Sequence, residues 1–326
     1  MMKNSGEKKK LLYLCGILIL ILVMIYSGLQ ILESAVFLQQ DEEPAKTKTI
    51  TRDGVDYFPR QDITVVMLLG IGEWGEAVPV EPNMACSVDM ITLMIFDEKK
   101  EEVSLLSLNR DTMVDMPMLD EHGRRDGTYY GQLTYSHMYG TGMEDSCENT
   151  RQTVSDLLYG INIDYFISMK LDAIAIMNDA VGGVTVNIED DFTHLDPGMV
   201  MGEVTLTGKQ AVTFVQSRRE VGDHLNVSRI RRQQEYMENF VAAFRGKAEE
   251  SDSFVIRAYD AVSPYIVTDC SATVLTSMMQ DYASYTLAES VTPEGENTMG
   301  KQFYEFYVDE EKLDDLVLRL FYAPKK

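Results

Sequence analysis

Residues 88–111 read VDMITLMIFDEKKEEVSLLSLNRD, two apolar runs of strand length joined by a short charged turn. The first run, 90–96, is continuous and rich in residues that favour extended backbone, as expected of a strand buried on both faces. The second, 101–108, alternates more and ends at Asn109-Arg110-Asp111. Upstream, ITVVMLLG at 63–70 is a third run of the same kind. Three such runs in forty-odd residues predict the centre of a sheet.

Helical spacing begins downstream. Val154, Leu157 and Leu158 lie on one face of a predicted helix over 148–160 that Gly160 stops. A strand is expected over 161–170, a helix over 171–183 that ends on a glycine pair, and a strand over 184–188. Helices follow over 207–216 and 228–246, then a helix around 272–285, a strand near 302–307 and a closing helix over 310–321. Strands alternating with helices predict an α/β fold, here an α-β-α sandwich around a central mixed sheet.

Outward to the N-terminus, residues 11–32 (LLYLCGILILILVMIYSGLQIL) hold no charged side chain. A helix of that length spans a hydrocarbon core of roughly 30 Å. An uncleaved transmembrane anchor is expected rather than a signal peptide, because no small-x-small cleavage site follows. Lys3, Lys8, Lys9 and Lys10 precede the segment, which places residues 1–10 in the cytoplasm and the rest outside, with a single pass through the cell membrane. Residues 33–61 are polar, contain Pro44 and Pro59, and read as an extracytoplasmic stalk with at most one short hairpin. The globular part is expected over 62–246, with 247–326 completing the same domain.

The chain has 29 basic and 52 acidic side chains in 326 residues, a net charge of −23, so no nucleic-acid partner is expected. Against that background Arg218, Arg219, Arg229, Arg231 and Arg232 supply five of the fourteen arginines within fifteen residues. Such a run is commonly a solvated helix face paired with neighbouring acids. Here Arg229, Arg232 and Gln233 fall at i, i+3 and i+4 near a helix start, where backbone amides favour anions, and arginine suits multidentate phosphate recognition. Arg110 and Asp111 lie just past a central strand and Asp89 at the entrance to another. A carboxylate there costs several kcal/mol unless it is paired or metal-bound. Arginines with a strand-end carboxylate suit a diphosphate and a hard cation, Mg²⁺.

Other motifs fail on context. Gly70, Gly72 and Gly75 form GxGxxG after a strand, but Pro79 and Pro82 follow where a dinucleotide fingerprint needs a helix. The four histidines stand singly, without metal-ligand spacing. Cys86, Cys147 and Cys270 lie outside the apolar segment and allow either one disulfide with a thiol left over or three buried thiols.

Taken in order, ITVVMLLG, VDMITLMIFD, VSLLSLNRDTMVDMP, LLYGINIDYFISMKLDAI, NDAVGGVTVNI, LTGKQAVTFVQSR and GDHLNVSRIRRQQEYM resemble the successive motifs of the LytR-CpsA-Psr (LCP) family over about residues 62–245. The resemblance implies a Mg²⁺-dependent phosphotransferase that moves a glycopolymer from an undecaprenyl-pyrophosphate carrier to a peptidoglycan hydroxyl, forming a phosphodiester. It implies that Arg110, Arg218, Arg229, Arg232 and Gln233 hold the pyrophosphate and that Asp89 binds Mg²⁺ and accepts the acceptor's proton. Asp111 takes an orienting role in the catalytic set.

The chain departs from the family pattern at two positions. Gly72 stands where a second metal-binding aspartate is usual, so Glu73 or Glu76 replaces that ligand or one carboxylate serves alone. Gln216 stands in place of an arginine, for which a displaced Arg219 compensates. Those departures leave two alternatives to the transferase: a non-catalytic polyprenyl-phosphate-binding or regulatory envelope protein, and a polyprenyl-pyrophosphate hydrolase. Within 114–146, the acidic and aromatic run DEHGRRDGTYYGQLTYSHMYG (120–140) reads as a loop that either shapes the glycan or acceptor side or serves as a surface lid. From the helix placement in such folds, Cys86 and Cys147 are expected to pair and brace the segment that presents Asp89.

Overall fold

The computed structural model describes residues 49–72, 86–120, 123–251, 254–271, 274 and 285–324. The anchor expected at 11–32 and most of the helix expected around 272–285 lie outside them, as do Glu73 and Glu76. Among the described residues no helix is long and apolar enough to cross a membrane. In chain order the strands are β1 (Ile50–Arg52), β2 (Val55–Pro59), β3 (Ile63–Ile71), β4 (Val88–Asp97), β5 (Glu102–Leu108), β6 (Met113–Leu119), β7 (Arg125–Gln132), β8 (Tyr165–Lys170), β9 (Val184–Ile188), β10 (Gly202–Leu206), β11 (Ile266–Thr268), β12 (Thr286–Val291), β13 (Gly295–Met299), β14 (Tyr304–Val308) and β15 (Tyr322–Pro324). The helices are α1 (Glu144–Leu157), α2 (Leu171–Ala180), α3 (Gly208–Gln216), α4 (Asn226–Glu250), α5 (Phe254–Val262) and α6 (Glu310–Phe321). The fold is mixed α/β, and its described residues fall into two compact units, one of residues up to 168 together with 288 onward, the other of residues 169–287.

The first unit is built on a central sheet with β8, β3, β4, β5 and β12 in that order. The ladders β3/β4 and β4/β5 are antiparallel. Ile91, Leu93, Met94, Ile95 and Phe96 of β4 are all buried, which explains why the run shows no alternation: both faces of the strand are covered. The tight turn between β4 and β5 is held by Asp97, whose Oδ1 accepts the amides of Lys99 and Lys100 at 3.2 and 3.1 Å. At the other end of β4 the register slips. Gly70 pairs with Met90 and Ile71 with Val88, so Asp89 is the extra residue of a β-bulge.

Two segments of this unit differ from the sequence expectation. The loop expected over 120–140 holds regular structure: β7 forms an antiparallel hairpin with β6, Met113 lying opposite Gln132, and a buried 3₁₀ turn (Leu133–Met138) follows, leading on to α1. Outward-facing β7 is polar and aromatic, with Tyr129 and Tyr130 exposed, so its sequence lacks the apolar alternation that marks a strand. The expected stalk also contributes to the fold, since β2 pairs with β1 through the Asp53-Gly54 turn and with β15 on its other side.

In the second unit α2 leads into the β9/β10 hairpin, and α3 and α4 follow. Asn178 is buried and joins these pieces: its Nδ2 donates to the Leu206 carbonyl at 2.8 Å, and its Oδ1 accepts from the Val184 amide and the Tyr236 hydroxyl, each at 3.2 Å. Thr207 and Gln210 form a capping box that starts α3. Tyr236, Phe240 and Phe244 recur along one face of α4 with ring centroids 6.1 and 5.8 Å apart, so aromatic contact supplies much of this unit's core.

Candidate active site

In the first unit the bulge re-aims Asp89 out of the ladder, a common use of such irregularities beside functional groups. Its carboxylate forms an ion pair with the Arg110 guanidinium, both side chains being mostly buried. The Nε of Arg110 lies 3.8 Å from Asp111 Oδ1, so the cation stands against two carboxylates. The turn after β5 is fixed by its own side chains. The Asp111 amide donates to Asn109 Oδ1 at 3.0 Å, and the Thr112 hydroxyl and amide donate to the Asn109 carbonyl at 2.6 and 3.0 Å. Asp111 is 1 % exposed and accepts from Gln132 Nε2 at 3.3 Å, which also donates to the Tyr304 carbonyl at 2.6 Å. Asp111 is therefore an internal anchor of this turn.

Thr134 joins the two halves of this arrangement. It is 0 % exposed, its hydroxyl donates to the Val88 carbonyl at 2.7 Å, and its amide donates to the Arg110 carbonyl at 2.9 Å. One residue thus sets the spacing between the strand that presents Asp89 and the turn that presents Arg110. No sequence pattern marked Thr134 or Gln132, because each acts through contacts formed only on folding.

Cys86 and Cys147 stand as thiols, not as the expected bridge. The His137 imidazole lies in the way: its Nδ1 is 2.8 Å from the Cys86 carbonyl and its Nε2 is 3.8 Å from Cys147 Sγ. The brace on the segment before Asp89 is therefore a histidine. Burial holds the His137 pKa below its ordinary value, against a smaller upward pull from the Cys86 carbonyl.

The described residues do not assemble a Mg²⁺ site. Asp89 is already compensated by Arg110, and Asp111 is turned inward. A Cβ at Gly72 would come 2.4 Å from Asp89 Oδ2, so position 72 abuts the carboxylate while offering it no oxygen. Among the described residues no three His, Cys, Asp or Glu side chains gather as a ligand set, whereas Mg²⁺ asks for octahedral oxygen coordination.

In the second unit the arginine cluster divides into distinct roles. Arg229, 3 % exposed, lies in the first turn of α4 with its Nη2 on Asn226 Oδ1. The N-cap residue, Leu225, provides no side-chain cap, so the first amides of a long helix sit beside a buried guanidinium, an arrangement suited to an anion. Arg218 is half-buried just past the end of α3. Arg232 and Gln233 are engaged elsewhere. Arg232 Nε donates to the Phe214 carbonyl at 3.2 Å, Nη1 pairs with Asp190 Oδ2 at 3.2 Å, Nη2 donates to the Ser217 carbonyl, and the guanidinium carbon lies 5.4 Å from the centre of the Phe192 ring. Gln233 Nε2 donates to the Val215 carbonyl at 3.0 Å. These two side chains satisfy the carbonyls that end α3 and hold the segment carrying Arg218, which makes them positioning residues. Arg231 is exposed and pairs with Glu189 at 2.9 Å.

The LytR_cpsA_psr family model matches residues 28–321. The chain belongs to the LytR-CpsA-Psr family. It is 27 % identical over 230 residues to the polyisoprenyl-teichoic acid–peptidoglycan teichoic acid transferase TagU of Oceanobacillus iheyensis, an alignment covering 67 % of this chain and 65 % of that protein. The chain thus spans a little under two thirds of this curated relative's length. Among solved structures it is similar to protein gbs0355 of Streptococcus agalactiae (TM-score 0.64, 21 % identity, covering 79 % of this chain and 86 % of that one). It is also similar to TagT bound to LI-WTA (TM-score 0.60, 22 % identity, covering 86 % and 95 %). Both likenesses show the fold of this LCP chain.

Proposed function

We propose that this LCP protein transfers a glycopolymer from an undecaprenyl-pyrophosphate carrier to a peptidoglycan hydroxyl. Teichoic acid is the glycopolymer named in its TagU relative. In this reading the acceptor oxygen attacks the glycan-proximal phosphorus, the new P–O bond forms as the pyrophosphate bridge breaks, and undecaprenyl phosphate leaves. Positioning and charge neutralisation supply most of such a reaction. The observation that carries the proposal is the Asp89–Arg110 pair, aimed by a bulge and fixed by Thr134. Arg110 neutralises charge on the phosphoryl oxygens, and Asp89 orients the attacking hydroxyl and receives its proton. The second unit offers the same phosphate chemistry through Arg229, the start of α4 and Arg218. The sheet forms the centre of an α-β-α sandwich. Residues 11–32 anchor the chain in the cell membrane by a single pass, with the N-terminus cytoplasmic and the catalytic part outside.

The test is to give the full chain, in detergent, a polyprenyl-pyrophosphate-linked teichoic acid precursor and peptidoglycan. Release of polyprenyl phosphate and label in the peptidoglycan would both be followed. Both should appear with the parent, and Arg110→Ala should lower both about 10²-fold or more, the usual cost of a missing charge-stabilising donor. Release without attachment would mark a hydrolase, and binding without release a non-catalytic protein.

A further inference from the structure

In the first unit Tyr130 of β7 is 54 % exposed and Tyr307 of β14 is 42 % exposed, and the proposed transfer uses neither. Backbone pairing places them on one face. Asp115 of β6 lies opposite Tyr130, and β6 begins beside β14, where Thr112 forms a parallel bridge with Phe306 and the Phe306 amide donates to the Asp111 carbonyl at 2.9 Å. Thr112 and Phe306 are buried, so their successors Met113 and Tyr307 turn outward, on the same side as Asp115 and Tyr130. Tyr130 lies two strands over and two residues along from Tyr307, roughly 12 Å at standard strand spacings. The Tyr307 pKa is raised chiefly by its hydrogen bond to Glu305 and in lesser part by Tyr130, which agrees with that closeness. Tyr129 belongs to the opposite face: it pairs with the buried Met116, and its ring lies 6.3 Å from that of Tyr139.

This outer face borders the candidate site. Gln132, the next residue but one from Tyr130 on β7, donates to Asp111 Oδ1 in the turn that presents Arg110. The charge around the two rings is negative. Asp115 stands opposite Tyr130, Glu296 stands opposite Tyr307, and Glu305 Oε2 accepts from the Tyr307 hydroxyl at 2.7 Å. Arg125, on the same strand as Tyr130, is five residues away, roughly 17 Å. Carboxylates in that arrangement repel a chain of phosphodiesters. An uncharged sugar chain meets no such penalty: its C–H faces stack on the tyrosine rings and its hydroxyls donate to the carboxylates, as charge-assisted hydrogen bonds. Tyrosine presents that flat area at low entropic cost. Two rings separated by one strand suit a chain of sugars better than a single one.

We infer that this face binds the sugar backbone of the acceptor strand, with Tyr130 and Tyr307 each beneath a sugar ring. Calling that strand the acceptor rests on the transfer reading, whereas binding of the glycan does not. The full chain, in lauryldimethylamine oxide to avoid sugar headgroups, would be sedimented with insoluble peptidoglycan freed of teichoic acid, using an N-acetylglucosamine tetramer or poly(glycerol phosphate) as competitor. The chain should co-sediment, and the tetramer should release it while poly(glycerol phosphate) does not. Tyr130→Ala and Tyr307→Ala should each weaken binding about three- to tenfold, as for a lost aromatic contact, and the double variant should lose more. Tyr130→Phe should bind as the parent does, because the ring and not the hydroxyl makes the contact. The inference is overturned if the chain stays in the supernatant, if the tetramer fails to release it or poly(glycerol phosphate) does so equally, or if the double alanine variant, with the parent's circular dichroism spectrum, binds as the parent does. The transfer assay run beside it keeps the two readings apart: tyrosine-dependent glycan binding by a parent that transfers nothing supports this face and overturns the transferase.

Discussion

Replacing Arg232 by methionine separates a structural arginine from a ligand-binding one. The substitution keeps the aliphatic stem but strips the Phe214 and Ser217 carbonyls of their donor, leaves Asp190 without its partner and removes the cation beside Phe192. Removing one member of a buried ion pair costs about 3–5 kcal/mol. The Asp190 side chain is 23 % exposed and regains some hydration, so about 3 kcal/mol is expected. At about 2–4 °C per kcal/mol, Arg232→Met should melt about 6–12 °C below the parent. Arg218→Ala, at a half-buried position outside the helices, should cost about 1 kcal/mol or less while abolishing transfer. Urea and thermal unfolding of both variants, followed by circular dichroism on the full chain, provide the comparison. If Arg232→Met unfolds within about 1 kcal/mol of the parent yet loses carrier binding as fully as Arg218→Ala, the bracing role is wrong and Arg232 is a phosphate ligand.

Thr134→Val keeps shape but leaves the buried Val88 carbonyl without its donor, so a loss of about 1–3 kcal/mol is expected, with a fall in transfer rate at unchanged carrier affinity; titration with the carrier lipid and rate measurement separate the two. His137 has a folded pKa below its unfolded one, so the unfolded state takes up a proton first and stability falls as pH drops below about 6.5. Unfolding measured from pH 8 to 5 should show that slope, and His137→Gln should flatten it. Alkylation without reductant should label Cys86 in the native chain and Cys147 only after unfolding; resistance of both to alkylation in denaturant until reduced would restore the disulfide. Because Arg110 already compensates Asp89, EDTA should lower turnover far less than Arg110→Ala does, and an equal loss would place a metal at Asp89.

The elements legible in the sequence were those whose own pattern requires them. β3, β4 and β5 carry dense apolar runs of strand length that call for burial, and β9 and α6 fall on their expected residues. β7 lies within the expected loop because it faces solvent with polar and aromatic side chains. Burial, which writes the alternating signal, is weak there. Asp89 and Arg110 were identifiable as chemistry-bearing residues, but their ion pair was not, since twenty residues and a strand turn separate them.

Sequence alone determined the family motifs, the acidic background with its arginine cluster, and the apolar segment at 11–32. Only tertiary structure decided which arginine braces which part of the fold. Arg229 and Arg232 lie one turn apart on α4, with the same charge and nearly the same burial. Arg232 meets the carbonyl end of α3 and is consumed by it, whereas Arg229 lies at the uncapped start of its own helix. Hydrogen-bond partners distant in sequence make that distinction, and a helical period cannot encode them.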